Sequence, residues 1–469
     1  MNDEQIDIKA YTNIYFVGIG GIGMSALARY FNKSNWNVAG YDKTETNLTK
    51  ELLKEGISIH FDDHVEQIPT IFKDKTKTLV VFTPAVNDKN KELTYFKING
   101  FHILKRSQVL GLLTKTSKGL CVAGTHGKTT TSTLLAHLLN ESHLKCNAFL
   151  GGIASNFDSN LVMNNTSPYT VIEADEFDRS FLQLHPFASI ITSIDADHLD
   201  IYGNQESFKN GFQEYASLID STGFLIIKSG IELKTNCKQI TYGISTKTAI
   251  CNADAKIENI RFEQGVFLFD FKYQTKTWKA VEFGQPGIHN AENALACILF
   301  CLELGLSEEE IRSGLKSFRG VKRRFDYHFK SQNLTYIDDY AHHPTEINAL
   351  INSVKLLYPE QKIRAIFQPH LFSRTKDFMK DFCKELSCVD ELLLMDIYPA
   401  REEPIPGINS QNLLAAIENS NAGIYNAEQI LERVAKIEDG VLLTIGAGNI
   451  DLLVPKIKTI LNKNTHICK

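Results

Sequence analysis

No run of apolar residues in this chain approaches the ~20 that a bilayer-spanning helix requires. The opening stretch MNDEQIDIKAYTN is polar and acidic, where a secretion signal is basic and then apolar. These two absences predict a cytoplasmic protein with no membrane partner. A basic excess is missing too: 50 Lys and Arg stand against 55 Asp and Glu, a formal net charge of −5. Without a broad cationic field no nucleic-acid partner is expected, and only local anion sites remain. The nine cysteines are scattered, odd in number and never spaced C-x-x-C, which argues against both a disulfide framework and a zinc site. Cys121, Cys297 and Cys301 lie among apolar neighbours and are expected as buried thiols. Low-complexity tracts and solenoid-period repeats are absent as well, so domain boundaries have to come from changes of pattern.

What is present is a soluble globular composition, 43% hydrophobic and 22% charged, in 469 residues. Domains of ~150 residues would make about three of it. From residue 13 to about 115, short apolar runs (NIYFVGIG, NVAGYD, TLVVFTPAV) alternate with helical stretches, the pattern of a parallel α/β sheet. The polar stretch TKTSKG closes that unit. A second run opens with the strand LCVAG and passes through YTVIEADE to GVFLFDFKYQTKTWKAVEF, which reads as antiparallel strands. The third opens near Tyr327 and again alternates strand, loop and helix. The predicted fold class is α/β, with domains at residues 1–116, 117–325 and 326–469.

The first strand runs into Gly18, Gly20 and Gly23, a match to G-x-G-x-x-G, and Asp42 follows at the end of the next strand. This is the dinucleotide fingerprint, in which glycines admit a close backbone, the helix N-terminus receives phosphate and the acid takes a ribose hydroxyl. Any diphosphate-bearing ligand uses the same amides, and a glycine turn also serves plain strand–helix packing. The middle of the chain decides between them. In CVAGTHGKTTTSTLLAHLL a strand delivers Gly124, Thr125, His126, Gly127, Lys128, Thr129 and Thr130 to a helix start. Backbone amides there wrap phosphates, Lys128 neutralises the β and γ oxygens, and a threonine hydroxyl ligates Mg²⁺. Val122 stands where the usual pattern has its first glycine. Hard oxygen donors follow in VIEADEFDRSF (Glu173, Asp175, Glu176, Asp178), and SIDADHLDIYG gathers Asp195, Asp197, His198 and Asp200. His198 reads as a second cation ligand. ATP chemistry has no need of hydride transfer, so the first glycine turn is expected to hold some other diphosphate.

Taken together, GIGGIGMSALA, GTHGKTTT, EADEFDRSFL, DADHLDIY, HNAENALA, KRRFDY, DDYAHHPTEI, FQPHLFSRT and YPAREEPIPG resemble the Mur ligase family of bacterial cell-wall synthesis. They occur in family order and cover nearly the whole chain. The resemblance implies an N-terminal Rossmann-like domain for a UDP-sugar, a central P-loop ATPase domain with a mixed sheet, and a C-terminal Rossmann-like domain that brings the amino acid. It implies a reaction as well. ATP phosphorylates the lactyl carboxylate of UDP-N-acetylmuramate, and the amine of L-alanine attacks the acyl phosphate through a tetrahedral intermediate. A monomer or weak homodimer is expected.

Phosphoryl transfer between two anions demands neutralisation and positioning more than covalent help. Lys128, Arg324 and Mg²⁺ held by Thr129 and Glu173 offer both. By resemblance, His198 joins a second Mg²⁺, Asn290 and Asn293 lie on the adenine side, and Asp339 lies at the ATP ribose. Tyr340, His343 and Arg374 are similarly implied at the alanine site, where an arginine forks onto a carboxylate. Gly18, Gly20, Gly21 and Gly23 are implied at the uridine diphosphate, with Asp42 and Ser107 nearby. Asn449, in GAGNI, departs from the aspartate expected there. The rival readings are a recycling ligase that adds a whole tripeptide to the same sugar, an inactive nucleotide-binding scaffold, and a dehydrogenase that would leave the P-loop unexplained. GIGGIGM and FQPHLFSRT are the alanine-adding forms, and Lys128, Glu173, His198 and Arg324 are all present.

Overall fold

The computed structural model describes residues 7–87, 89–195, 199–246, 250–263, 266–400 and 402–467. Its strands form sheets of five, ten and six strands. The first sheet contains β1 (Asn13–Val17), β2 (Asn37–Tyr41), β3 (Ser58–His60), β4 (Thr78–Phe82) and β5 (His102–Lys105), in the order β3-β2-β1-β4-β5. All its pairings are parallel. Every residue of β1 is buried, as a central parallel strand covered on both faces requires. The covering helices are α1 (Ile22–Lys33), α2 (Asn47–Lys54), α3 (Lys91–Ile98) and α4 (Arg106–Lys115). Chain order reverses between β1 and β4, and ligands bind such sheets outside the strand C-termini at that reversal.

The second sheet runs β15-β14-β13-β12-β11-β10-β6-β9-β7-β8. Its strands are β6 (Lys118–Ala123), β7 (Asn147–Ala154), β8 (Ser159–Val162), β9 (Tyr169–Glu173), β10 (Pro186–Ile191), β11 (Phe224–Lys228), β12 (Lys238–Ile244), β13 (Ala255–Glu263), β14 (Val266–Tyr273) and β15 (Lys276–Phe283). It is mixed: β6 is parallel to β9 and β10, whereas β7 and β8 are antiparallel. The two residues between β14 and β15 suffice only for an antiparallel hairpin. With this sheet go α5 (Lys128–Glu141), α6 (Leu199–Tyr202), α7 (Gln205–Ser217), α8 (Ile288–Glu303) and α9 (Glu308–Ser317). A capping box between Ser307 and Glu310 starts α9.

The third sheet, β16-β17-β21-β18-β19-β20, contains β16 (Asp326–Lys330), β17 (Leu334–Asp339), β18 (Ile363–Phe367), β19 (Glu391–Leu394), β20 (Ala422–Ile424) and β21 (Gly440–Ile445). Only β16 is antiparallel to its neighbour. Two apolar clusters pack with this sheet, one around Ile337, Phe367 and Leu443 and one around Tyr336, Ile366 and Leu442. Its helices are α10 (Pro344–Leu357), α11 (Phe372–Asp377), α12 (Met379–Leu386), α13 (Ser410–Ala415), α14 (Ala427–Val434) and α15 (Val454–Ile467).

The chain divides into two compact units. The first holds residues 1–259, 269–282 and 292–319, and one core cluster runs through it from Ile14, Leu27 and Val81 to Phe149, Ile172 and Phe212. The second holds residues 260–268, 283–291 and 320–469. Among the described residues eight cysteines are free thiols, with Cys121, Cys297 and Cys301 buried as expected. No described helix is long and apolar enough to cross a membrane.

Candidate active site

In the first unit, β6 ends at Ala123 and the chain turns through Gly124 (φ +131°) and Gly127 (φ +81°) into α5. Both angles lie in the left-handed region open to glycine. A Cβ on Gly124 would overlap Thr192 Oγ1, and one on Gly127 would lie 2.8 Å from Asn293 Oδ1. The loop after β10 braces this turn. Thr125 N donates to Ser193 O at 3.2 Å, His126 N to Ser193 Oγ at 2.9 Å, and Thr125 Oγ1 to Asp195 O at 2.7 Å. The result is a rigid cradle whose helix has no side-chain cap, so its first amides are open to an anion.

Lys128 folds back over that cradle. Its Nζ donates to Gly124 O at 2.6 Å and to Glu176 Oε1 at 2.8 Å, and forms an ion pair with Glu176 Oε2 at 2.7 Å. Burial opposes the ammonium, but the carboxylates of Glu176, Asp175 and Glu173 outweigh it and hold the lysine above its ordinary value. Burial pushes the Glu176 carboxyl up to about 7, against the pull of Lys128. The four acids of EADEFDRSF therefore do not form one cation site. Glu173 ends β9 and lies against Gly151, Asp175 lies 3.5 Å from Arg106, Glu176 takes Lys128, and Asp178 takes Lys105 at 2.7 Å. Among the described residues no three acidic, His or Cys side chains gather as a ready metal cluster. Mg²⁺ keeps several waters and needs few protein donors. Thr129, buried in the first turn of α5, and Glu173 fit that demand with hard oxygens. His198 and Asp197 lie outside the described residues.

At the first sheet, Gly18 (φ +88°) makes the turn after β1, and a Cβ on it would lie 2.7 Å from Thr83. Gly20 N donates to Asp42 Oδ2 at 2.7 Å, so this carboxylate holds the turn itself. Gly21 precedes α1 without a side-chain cap, and Gly23 leaves room for the Arg106 guanidinium at 2.7 Å from its missing Cβ. Ser107 is buried beside Arg106 in the first turn of α4. A cavity of about 240 Å³ joins this turn to the cradle's acids, with Gly21–Met24, Thr83 and Arg106 facing Phe149–Gly151, Glu173 and Asp175. Thr83, Lys105 and Arg106 escaped the sequence reading. The basic pair at a strand–helix junction is the only local signal for Lys105 and Arg106, and Thr83 has none.

In the second unit, Asp339, Tyr340, His343 and Arg374, named as candidates from the sequence, follow the C-terminal ends of parallel strands. Asp339 ends β17 and accepts Phe325 N at 2.7 Å and Ala341 N at 2.8 Å. Burial pushes its carboxyl up to about 6, while Arg324 pulls it down. Arg323 and Arg324 both lie over the Tyr340 ring, 5.0 Å from its centroid. His343 caps α10, its Nδ1 accepting Thr345 N at 3.3 Å, and its ring meets Phe378 edge-on at 4.5 Å. Arg374 is buried in α11, where Ser373 donates to Glu402 through both its backbone and its hydroxyl. Burial opposes the Glu402 charge, but the Ser373 bonds hold the carboxyl below its ordinary value, and Arg374 adds to them. His370 stacks on Tyr398 at 5.8 Å. Asn449 accepts from Gln368 Nε2 at 2.7 Å, so the amide that replaces the expected aspartate ties two strand-end loops together. Asn290, buried at the start of α8, donates to Pro286 O at 2.7 Å. Asn293, which belongs to the first unit, lies there against Gly127.

Comparison with known proteins matches residues 13–118 to the Mur ligase family catalytic domain, 122–301 to the Mur ligase middle domain, and 323–449 to the Mur ligase glutamate ligase domain. A Parabacteroides distasonis protein called UDP-N-acetylmuramate–L-alanine ligase is 50% identical over 98% of this chain and 99% of its own length. A Phocaeicola vulgatus protein of the same name is 49% identical over 98% and 100%. The crystal structure of the Thermotoga maritima UDP-N-acetylmuramate–alanine ligase superposes with a TM-score of 0.81 at 28% identity, covering 96% of this chain and 99% of that one. A murein peptide ligase from Psychrobacter arcticus shares the fold at 21% identity and a TM-score of 0.69.

Proposed function

Because this chain belongs to the Mur ligase family of ATP-dependent ligases, we propose that it joins L-alanine to the lactyl carboxylate of UDP-N-acetylmuramate, forming ADP and phosphate. The observation that carries this reading is the cavity that links the Gly21–Met24 turn to Glu173 and Asp175, two of the carboxylates whose charge acts on Lys128 of the cradle. One diphosphate ligand on the turn and a triphosphate on the cradle put an acceptor carboxylate and a γ-phosphate into the same space. Three domains, at 1–116, 117–325 and 326–469, divide the work of holding sugar, nucleotide and amino acid.

In this reading the amides of Gly124–Thr130 and the Lys128 ammonium hold the β- and γ-phosphates, and Arg324 adds charge where it develops. Asn290 and Asn293 serve the adenine side and Asp339 the ribose. Thr129 and Glu173 would hold one Mg²⁺, which would neutralise phosphate oxygens when bound, and His198 would serve a second. The lactyl carboxylate takes the γ-phosphoryl group and ADP leaves. Tyr340, His343 and Arg374 orient alanine, with the guanidinium on its carboxylate. The neutral amine then attacks the acyl carbonyl, phosphate departs, and the amine proton is released to complete the amide. The cytoplasm, as monomer or weak homodimer, is the expected setting.

The test is phosphate release by the purified protein given ATP, Mg²⁺ and UDP-N-acetylmuramate, with L-alanine, with the cell-wall tripeptide, or with neither. Release that depends on L-alanine is the expected result. Release with tripeptide alone would assign the recycling reaction, and none in any arm would leave a scaffold.

A further inference from the structure

Asn160, near the middle of β8, is fully buried and far in sequence from every residue it bonds. Its Nδ2 donates to Ile22 O at 2.6 Å and to Ser25 Oγ at 2.9 Å, and its Oδ1 accepts Arg29 Nη1 at 2.6 Å. Ile22 opens α1 directly after the glycine turn. Arg29, 3% exposed on the same helix, is held from the other side by Glu55 at 2.7 Å and Glu51 at 3.2 Å. Asn160 thus has three of its four hydrogen-bonding sites engaged on one helix of a different sheet. Tyr30 on Phe149, with ring centroids 5.3 Å apart, adds an apolar contact between α1 and β7.

The far end of this arrangement leads to the proposed chemistry. Strand β8 pairs with β7 through Phe149 and Leu161, β7 pairs with β9 through Phe149 and Ile172, and the next residue of β9 is Glu173. Gly151 of β7 leaves the space that the Glu173 carboxylate fills. The 240 Å³ cavity is lined by the start of α1 on one side and by β7 and the end of β9 on another, with Thr83 and Arg106 completing its wall; β8 acts on it only through β7. We propose that Asn160 is a positioning residue that clamps α1 to β8 and so sets the distance between the glycine turn and Glu173. The proposal rests on the substrate reading above, because the clamp matters only if a turn-bound ligand reacts beside Glu173. Buried polar groups left without partners are costly, so the clamp has one satisfied geometry rather than a range of them.

The experiment compares Asn160→Ala and Asn160→Asp with the full-length parent. Asp keeps an acceptor for Arg29 but loses the donor to Ile22 O, so both variants are expected to behave alike. Misplacement of this kind costs roughly tenfold to a hundredfold in turnover. KM for UDP-N-acetylmuramate should rise together with that fall in kcat, while the affinity for ADP alone stays within about twofold, since the cradle has its own braces. A melting temperature that drops with kinetics unchanged would make Asn160 merely structural and overturn the proposal. Equal losses for the sugar and ADP would overturn it as well. If the Ala variant fails to fold, Asn160→Ser carries the same comparison. A parent protein inactive on the sugar would bring down the substrate reading and the clamp together, whereas an active parent with unaffected variants would bring down the clamp alone.

Discussion

Lys128 sits with its ammonium between two loop carbonyls and the Glu176 carboxylate, where a nucleotide's phosphates would otherwise take its charge. Lys128→Ala should lower turnover by roughly a thousandfold, because it removes charge stabilisation from the transition state. The protein should still fold, since Glu176 is already pushed up to about 7 and can accept a proton when its partner is gone. Steady-state kinetics beside a thermal melt checks both statements. A second residue-scale prediction concerns Glu92, fully buried in α3, which accepts the Tyr15 hydroxyl at 2.7 Å and lies 3.3 Å from His60 Nε2. Burial pushes its carboxyl up to about 7, from an ordinary value near 4.5. A carboxyl whose folded value is raised contributes most at low pH and loses that contribution as pH climbs from the unfolded to the folded value. Between pH 4.5 and 7 it should therefore withdraw on the order of 2 kcal/mol. Burial lowers His60 and acts in the opposite direction, so the comparison with Glu92→Gln isolates the carboxyl. Urea midpoints of both proteins should diverge with rising pH in favour of the variant.

At the scale of elements, β7 shows how a strand serves a neighbour. Its Gly151 has ordinary extended backbone and is needed only because the Glu173 carboxylate occupies the space of a Cβ. In Gly151→Ala the flexible end of Glu173 can swing aside at little cost. The melting temperature should therefore move by no more than about 2 °C while kcat falls roughly tenfold or more. ADP binding without metal should persist, and a loss of it would show that the cradle itself had shifted. Of its neighbours, β6, α5 and β9 are legible in the sequence, since buried parallel strands read as apolar runs bounded by glycine and polar residues, whereas β7 and β8 are not singled out by any such signal. The cradle at Gly124–Thr130 was legible for a different reason: all its chemistry is contiguous. The fate of the acids after β9 was not, because each finds its partner on a different element.

At the scale of the whole molecule, two compact units with separate cores should not unfold as one. Calorimetry should resolve two transitions. ADP at about a hundred times its dissociation constant stabilises by roughly 2.7 kcal/mol, so the transition of the unit that carries the phosphate cradle should rise by several degrees. A single transition with equal calorimetric and van't Hoff enthalpies would refute the two-unit division.

By itself the sequence determined the α/β class, the two glycine-rich turns, the lysine and threonines of the cradle and the loops that follow the strands of the third sheet. Those features depend on residues adjacent in the chain, where periodicity and turn chemistry act directly. Tertiary structure alone decided that Asp42 holds its own glycine turn, that Arg106 lies over Gly23, that Glu176 takes Lys128, and that Asn160 grips a helix 131 residues away. An isolated asparagine in FDSNLV carries no local signal. Its role exists only once two sheets pack, because a buried polar group must find its partners wherever the fold has placed them.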